Sequence, residues 1–320
     1  MNSILNVHNL KVGFYQNNKI AIAVNEISFF VNSGETVCIV GESGCGKTVT
    51  ALSILRLIPP NGKIIDGNII FKDKNLITLD EEDMRTIRGK EISMIFQEPL
   101  TSLNPVFTIQ DQIAEAIYVH EKVDKKELKR RIIELLKLVG ISAPEKRLNN
   151  YPHQLSGGQR QRIMIAIALA CNPKLIIADE PTTALDVTVQ AQILTLFKKL
   201  QNKYGISLLY ITHDLSVVAN IATRVYVMYA GIIVEEGDVF QIFYESKHPY
   251  TKGLLDSLPK KINRGKNLKS IPGMVPDLMH RPLGCPFHPR CNLCKDICTK
   301  ELPGIKDIKD GHRIRCHIVA

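Results

Sequence analysis

The sequence predicts an α/β protein on a mostly parallel sheet, and three observations carry that reading. Short apolar runs, "TVCIV" (36–40), "KLIIAD" (174–179) and "SLLYIT" (207–212), lack the polar alternation of a half-exposed strand and so read as strands covered on both faces. Helix-length segments separate them, as parallel crossovers require. The first run leads straight into "GESGCGKT", Gly41 to Thr48, and then an apolar helix, the strand, glycine loop and helix context of a phosphate-binding loop. With 320 residues, 45% apolar and 23% charged, the chain has material for one large domain or two smaller ones.

The elements follow in order. "ILNVHNLKVGFY" and "AIAVNEISFFV" alternate as antiparallel strands, with a turn at Gln16 to Asn18. After the glycine loop, "TVTALSILRLI" reads as a helix running until Pro59. From about Leu100 to Asn150 the pattern turns helical, as in "KKELKRRIIELLKLVG", which predicts an inserted helical subdomain spanning about 98–172. Strands resume at 174 and continue through "RVYVMYAGIIVEEG". The predicted organisation is a main domain over 1–257, a Pro/Gly/Lys linker over 258–284 and a small Cys-rich extension over 285–320.

Chemistry concentrates at the strand ends. In the glycine loop, Gly41, Ser43, Gly44, Cys45 and Gly46 bring backbone N–H groups around phosphates at a helix start. Lys47 reaches the β- and γ-phosphates and the Thr48 hydroxyl suits Mg²⁺. Asp179 ends an apolar strand, where an open parallel sheet places its ligand crevice, and can hold Mg²⁺ through water. Glu180 follows with its carboxylate aimed elsewhere, fit to orient an attacking water as general base. His213 closes "LLYITHD" at the same predicted sheet edge and can bond the γ-phosphate and that water. A second glycine-bearing helix start, "LSGGQRQR" at 155–162, repeats the anion-site pattern more than a hundred residues later.

"GESGCGKT", "LSGGQ", "IIADEPTTALD" and "ITHD", in that order, resemble the nucleotide-binding subunit of an ABC transporter over roughly residues 4 to 260. The resemblance implies a P-loop NTPase fold of ABC type, with an N-terminal antiparallel β part and a helical subdomain. It also implies that the nucleotide lies between two such domains arranged head to tail, so that Ser156, Gly157, Gly158 and Gln159 complete a partner's site. Gln97, in "MIFQEP", matches the glutamine that contacts Mg²⁺ and signals nucleotide state. Segment 98–120 matches the docking surface for membrane subunits, and "ALD", ending at Asp186, the loop across the dimer interface. Phe14 or Tyr15 is expected to stack on adenine. The implied partners are a homologous second ATPase subunit or another copy of this chain, two membrane permease subunits and, indirectly, an extracytoplasmic binding protein.

The chain has eight cysteines. Cys38 and Cys171 lie in apolar runs and read as packing residues. Cys45, at a helix start, is expected to have a lowered thiol pKa and to be reactive, so that an alkylating reagent would block ATP binding. The tail spaces Cys285-x5-Cys291-x2-Cys294-x3-Cys298, then Cys316 after seventeen intervening residues. In a reducing compartment this leaves metal or cluster binding rather than disulfides, with structural Zn²⁺ and an iron–sulfur cluster both open. "GCPFHPRCNLCKDIC…HRIRCH" and "HPYTKGLLDSLP" resemble the oligopeptide/dipeptide branch of ABC importers. That resemblance implies a [4Fe–4S] cluster on Cys285, Cys291, Cys298 and Cys316, outside which Cys294 falls.

The longest apolar run, "IMIAIALAC", is nine residues, against the roughly twenty a membrane-spanning helix needs. The opening "MNSILNVHNL" lacks a basic head and a continuous apolar stretch, so no secretory leader is expected. The expected location is peripheral, at the cytoplasmic face of the cell membrane. A net charge of +9 permits contact with nucleic acid or anionic lipid without requiring either. The sequence reading is therefore an ATPase subunit powering import of di- or oligopeptides, the same branch with nickel or a short oligosaccharide as cargo being the alternative. A nucleic-acid-handling ATPase is a more distant reading, because the chain has no aromatic-studded basic stretch for stacking bases.

Overall fold

A computed structural model describes residues 3–16, 19–98, 102–183, 185–258, 270–277 and 281–319. The chain forms two units that alternate along the sequence. One holds the glycine loop and comprises residues 3–32, 36–77 and 211–320. The other is rich in helices and comprises residues 33–35 and 78–210.

The loop unit begins with β1 (Ser3–Gln16) and β2 (Lys19–Asn32), paired antiparallel with Gln16 opposite Lys19. The expected turn falls between them, at positions 17 and 18, outside the described residues. Strand β3 (Thr36–Val40) is buried at every position, as its unbroken apolar run predicts. Helix α1 (Lys47–Ile54) follows the glycine loop. It stops short of the expected Pro59: Arg56 adopts a left-handed φ of 53°, and Leu57 N–H bonds back to the Leu52 carbonyl. Pro59 and Pro60 bias the residue ahead of them away from helix, so the chain turns early. Strand β4 (Gly62–Phe71) and the short β5 (Lys74–Asn75) complete an antiparallel sheet of order β2-β1-β4-β5.

In the helix-rich unit, α2 (Glu81–Ile87) starts at Asp80, whose carboxylate accepts from Asp83 N–H. Strand β6 (Ile92–Ile95) is followed by α3 (Ile109–Tyr118), opened by a Thr108–Asp111 capping box. Helix α4 (Lys125–Leu138) is capped by Asp124 and buries Leu128, Ile132 and Leu136, a single stripe at helical spacing. The short α5 (Pro144–Arg147) precedes α6 (Gly157–Leu169). Strand β7 (Leu175–Asp179) then pairs parallel with β6, Ile92 opposite Leu175. Helices α3 to α6 are thus the crossover that parallel pairing demands. Helix α7 (Val187–Tyr204) ends at Gly205, φ 64°, and leads into β8 (Ser207–Thr212).

The chain returns to the loop unit through α8 (Leu215–Ile221) and β9 (Arg224–Tyr229), which runs parallel to β3. Strand β10 (Ile232–Asp238) turns back antiparallel on β9. Helices α9 (Val239–Tyr244) and α10 (Pro249–Asp256) follow. Most of the expected linker, 259–269 and 278–280, lies outside the described residues. The tail contributes α11 (Asp296–Lys300), β11 (Lys306–Lys309) and β12 (His312–Ile314). β12 joins the sheet beside β10, with Glu235 opposite Ile314. His312 Nε2 lies 2.8 Å from Glu235 Oε1, both side chains at most 2% exposed. Arg313 Nε donates to Glu236 at 2.6 Å, a carboxyl that burial pushes upward in pKa against the pull of this arginine. Among the described residues, no helix is long and apolar enough to cross a membrane.

Candidate functional site: a glycine loop, a strand-end carboxylate and a capped helix start

The glycine loop is shaped by contacts that admit no side chain. Gly46, φ 102°, is the N-cap of α1, and a Cβ there would lie 2.8 Å from Met228 Cε and 2.5 Å from the Ala23 carbonyl. Only glycine combines that backbone angle with that approach. No side chain caps α1 and no acid occupies its first turn, so no side chain of the helix offsets its positive end. Lys47, 5% exposed, donates to the carbonyls of Gly41 (2.8 Å) and Glu42 (3.0 Å). Its ammonium thus rests on loop oxygens, a flexible cation beside an anion cradle. Ser43, Gly44 and Thr48 are exposed along the same turn, the accessibility that phosphate and metal contacts need.

Cys45 departs from expectation. Its thiol is fully buried, and desolvation raises its pKa by more than nearby Lys47 lowers it. Removal from water disfavours the thiolate, so the expected reactive cysteine is a buried packing residue. Cys38 is buried likewise, while half-buried Cys171 donates its S–H to the Ala116 carbonyl at 3.4 Å. Both fit the packing role read from sequence.

Of the two candidate aromatics, Phe14 lies against β4, its ring edge 2.7 Å from where a Cβ on Gly62 would stand. Tyr15 is 49% exposed, with its backbone N–H held by the Asn61 carbonyl at 2.8 Å. His213 is exposed and directly follows β8, and Asp214 caps α8 behind it.

In the helix-rich unit the strand-end acids are buried: Asp179 is 2% exposed and Glu180 8%. Glu180 adopts φ 45°, strain that a non-glycine residue accepts where position matters. Its Oε2 accepts from Gln97 Nε2 (3.3 Å) and from the Thr183 hydroxyl (3.0 Å). Gln97 and Glu180, 83 positions apart, therefore meet. Thr183 gave no signal in the sequence beyond lying three residues after the acid. The start of α6 is closed on itself. Ser156 Oγ accepts from Gln159 N–H and Gln159 Oε1 accepts from Ser156 N–H, a reciprocal cap. Gly158 faces Val189, whose Cγ1 would be 2.9 Å from an added Cβ, and Gly157 faces Leu185. Asp186 is exposed and caps α7 through Val189 N–H at 2.9 Å. Its neighbour Ala184 and residues 99–101 of the docking segment lie outside the described residues.

Residues 24–183 match the ABC transporter family, and residues 234–298 match the oligopeptide/dipeptide transporter C-terminal region. The chain is 51% identical to a dipeptide transport ATP-binding protein of Bacillus subtilis (strain 168), over 99% of this chain and 95% of that relative. The chain belongs to the ABC transporter ATP-binding subunits, oligopeptide/dipeptide type. An oligopeptide transport ATP-binding protein of the same organism is 50% identical over 99% of this chain and 97% of the relative. Among solved structures, the dimeric post-hydrolysis state of an ATP-binding cassette bound to ADP and Pi aligns with TM-score 0.67 and 30% identity, covering 73% of this chain and 98% of that one. The fold class expected from sequence, an ABC-type P-loop NTPase, is the one observed, and the subunit is an ATPase of that family.

The tail of this ABC subunit gathers its cysteines around tight turns. Cys285 N–H donates to the Cys298 carbonyl at 2.8 Å, and Cys291 N–H to the His288 carbonyl at 3.2 Å. Cys316 directly follows β12. Cys285, Cys298 and Cys316 are buried, Cys291 half-buried and Cys294 exposed. Burial pushes the Cys285 thiol up to about 11, and the sulfurs of Cys316, Cys298 and Cys291 push it further the same way. Among the described residues, no three His, Cys, Asp or Glu side chains stand close enough to hold a metal ion.

Sequence reasoning missed Arg290, Tyr250 and Glu42. Glu42 N–H donates to the Tyr250 hydroxyl at 2.9 Å, and the Glu42 carboxylate takes both arms of the Arg290 guanidinium. The only hint was an arginine and an acid inside motifs already singled out; their pairing spans 248 positions.

Proposed function

We propose that this chain hydrolyses ATP to power uptake of di- or oligopeptides through separate membrane subunits. The carrying observation is Glu180, a buried strand-end carboxylate in a strained backbone conformation, oriented by the Gln97 amide and the Thr183 hydroxyl. That is how a general base for an attacking water is held. The peptide cargo rests on the full-length likeness to dipeptide and oligopeptide transport proteins.

In this reading the loop from Gly41 to Gly46 wraps the phosphates through its N–H groups, and Lys47 leaves the Gly41 and Glu42 carbonyls to meet the β- and γ-phosphates. Tyr15, the more exposed aromatic, stacks on adenine. Thr48, Gln97 and Asp179 would hold Mg²⁺, their hydroxyl, amide and carboxylate oxygens being donors that a hard cation takes. Held there, Mg²⁺ would neutralise charge building on the phosphates. His213 bonds the γ-phosphate and the water. Ser156, Gly157, Gly158 and Gln159 of a facing ATPase, a second copy or a homologue, present a helix start to the same phosphate. The Asp186 loop lies along that interface. Segment 98–120 receives the membrane subunits, which puts the chain at the cytoplasmic face of the membrane.

Thiolates are the donors an iron–sulfur cluster takes, and the tail carries four cysteines of the expected set. Burial and the nearby sulfurs hold the Cys285 thiol protonated, and a positively charged metal centre would counter this by stabilising thiolate there. Cys285, Cys291, Cys298 and Cys316 would hold the cluster, after the sulfurs draw together; Zn²⁺ is the alternative. ATP hydrolysis needs no electron, so the group would serve as a staple for a segment with little core of its own.

Glu180→Gln tests the reading. The variant should bind ATP, lose about 10²–10³ in turnover, and accumulate as an ATP-loaded dimer by size-exclusion chromatography. Phosphate release at the unchanged rate would remove Glu180 from its role.

A further inference from the structure

The Cys-rich tail reaches the phosphate loop. The Glu42 carboxylate, on the second residue of the loop, receives Arg290 Nη1 at 2.6 Å and Nη2 at 3.0 Å. Two parallel N–H···O bonds make this the directional form of an arginine–carboxylate pair. The arginine is itself held in place: Nε donates to the Pro272 carbonyl at 2.8 Å, Nη1 to the Tyr229 hydroxyl at 3.4 Å, and its side chain is 4% exposed. Phe287, three residues before it, packs edge-on against Tyr229 and tilted on Tyr250, centroids 5.2 and 5.4 Å away. Tyr250 in turn takes the Glu42 N–H. Glu42 is therefore gripped at its backbone by α10 and at its carboxylate by the tail, while its own carbonyl accepts from Lys47.

An unpaired carboxylate here has two bad options. It repels an incoming polyphosphate, or it swings to the Lys47 ammonium and occupies the cation meant for that phosphate. Holding the carboxylate on a buried guanidinium prevents both. We infer that Arg290 is a positioning residue of the nucleotide site: it neutralises Glu42 and keeps that carboxylate off Lys47, so the tail tunes the subunit's affinity for ATP. This rests on reading residues 41–48 as the ATP phosphate loop.

The test titrates Mg-ATP, through a fluorescent ATP analogue, into the full chain and five variants, each checked by thermal unfolding. Arg290→Ala should weaken binding about tenfold, equivalent to ~1.4 kcal/mol, raising KM while kcat stays within about twofold. Arg290→Lys, which keeps the charge and loses the fork, should recover most of that affinity. In a Glu42→Gln background, Arg290→Ala should cost no more than about twofold, because no carboxylate is released to compete. Lys47→Ala, which abolishes binding if the loop reading holds, is the control. Wild-type affinity in Arg290→Ala alongside a non-binding Lys47→Ala would overturn the inference alone. So would an Arg290→Ala loss of equal size in the Glu42→Gln background, which would make Arg290 a stitch in the tail. Equal binding by the unchanged chain and Lys47→Ala would overturn the loop reading and the inference together.

Discussion

At the start of α1 the chain withholds a side-chain cap, and at the start of α6 it supplies a reciprocal one. Gly46 leaves the first helix without any capping atom, and Lys47 bends over the loop carbonyls. Ser156 and Gln159 close the second helix on each other. Both starts carry glycines and both suit an anion, but they differ in readiness. The first has no side-chain cap between it and an anion; the second pairs the Ser156 and Gln159 N–H groups with each other's side chains, and in the proposed function would trade those bonds for phosphate oxygens. Such an exchange costs little, since one hydrogen bond replaces another. A self-capped start also binds free phosphate weakly, which suits a group that acts only when a nucleotide is presented by a facing molecule.

The largest expected effect separates the two starts. Lys47→Ala should abolish nucleotide binding by an isolated chain, whereas Ser156→Arg should leave that binding within about twofold and cut turnover by ~10²-fold or more. Parallel nucleotide titrations and phosphate-release assays check both; loss of binding in the serine variant would mean that α6 serves its own chain's site. A smaller effect concerns Cys45. Being buried with a raised pKa, it should react with a thiol reagent at least ~10-fold slower than exposed Cys294, with or without Mg-ATP, as read by mass spectrometry of digested protein. Fast labelling of Cys45 that nucleotide suppresses would restore the expectation drawn from the helix start alone.

The smallest effect lies under the loop. His248 caps α10, its Nδ1 accepting from Tyr250 N–H at 3.1 Å, and burial lowers its pKa from 6.5 to about 3. The folded state therefore keeps this imidazole neutral while the unfolded chain protonates it below pH 6.5. Below that pH the unfolded state binds the extra proton, so this contribution to stability is full above about 6.5 and shrinks as the pH falls toward 3. His248→Asn keeps a capping oxygen and removes the titration. It should flatten the acid-side loss of stability by up to ~1.4 kcal/mol per pH unit, measured by denaturant unfolding between pH 7 and 4. Identical slopes would place the linkage on other groups.

Much of this architecture was readable beforehand. The buried runs of β3, β7 and β8 lack alternation, and the glycine loop sits between a strand and a helix as its chemistry requires. These signals are local: a few neighbouring residues decide backbone angles and which face is apolar. Two expectations fell short, one from local backbone and one from packing. Helix α1 ends five residues before the expected Pro59 because the chain turns at Arg56. The Cys45 thiol was judged from its place at a helix start, which favours thiolate, but packing buries it and desolvation outweighs that field.

Sequence pattern alone thus carries the fold class, the phosphate loop, the strand-end acids and the cysteine-bearing tail, because each is built from short local patterns. Only the folded chain joins Gln97 to Glu180, and Arg290 to Glu42 across 248 positions, and only it shows Tyr15 to be more exposed than Phe14. Pairings and burial are sums over residues brought together from distant parts of the chain, and no short window holds those terms.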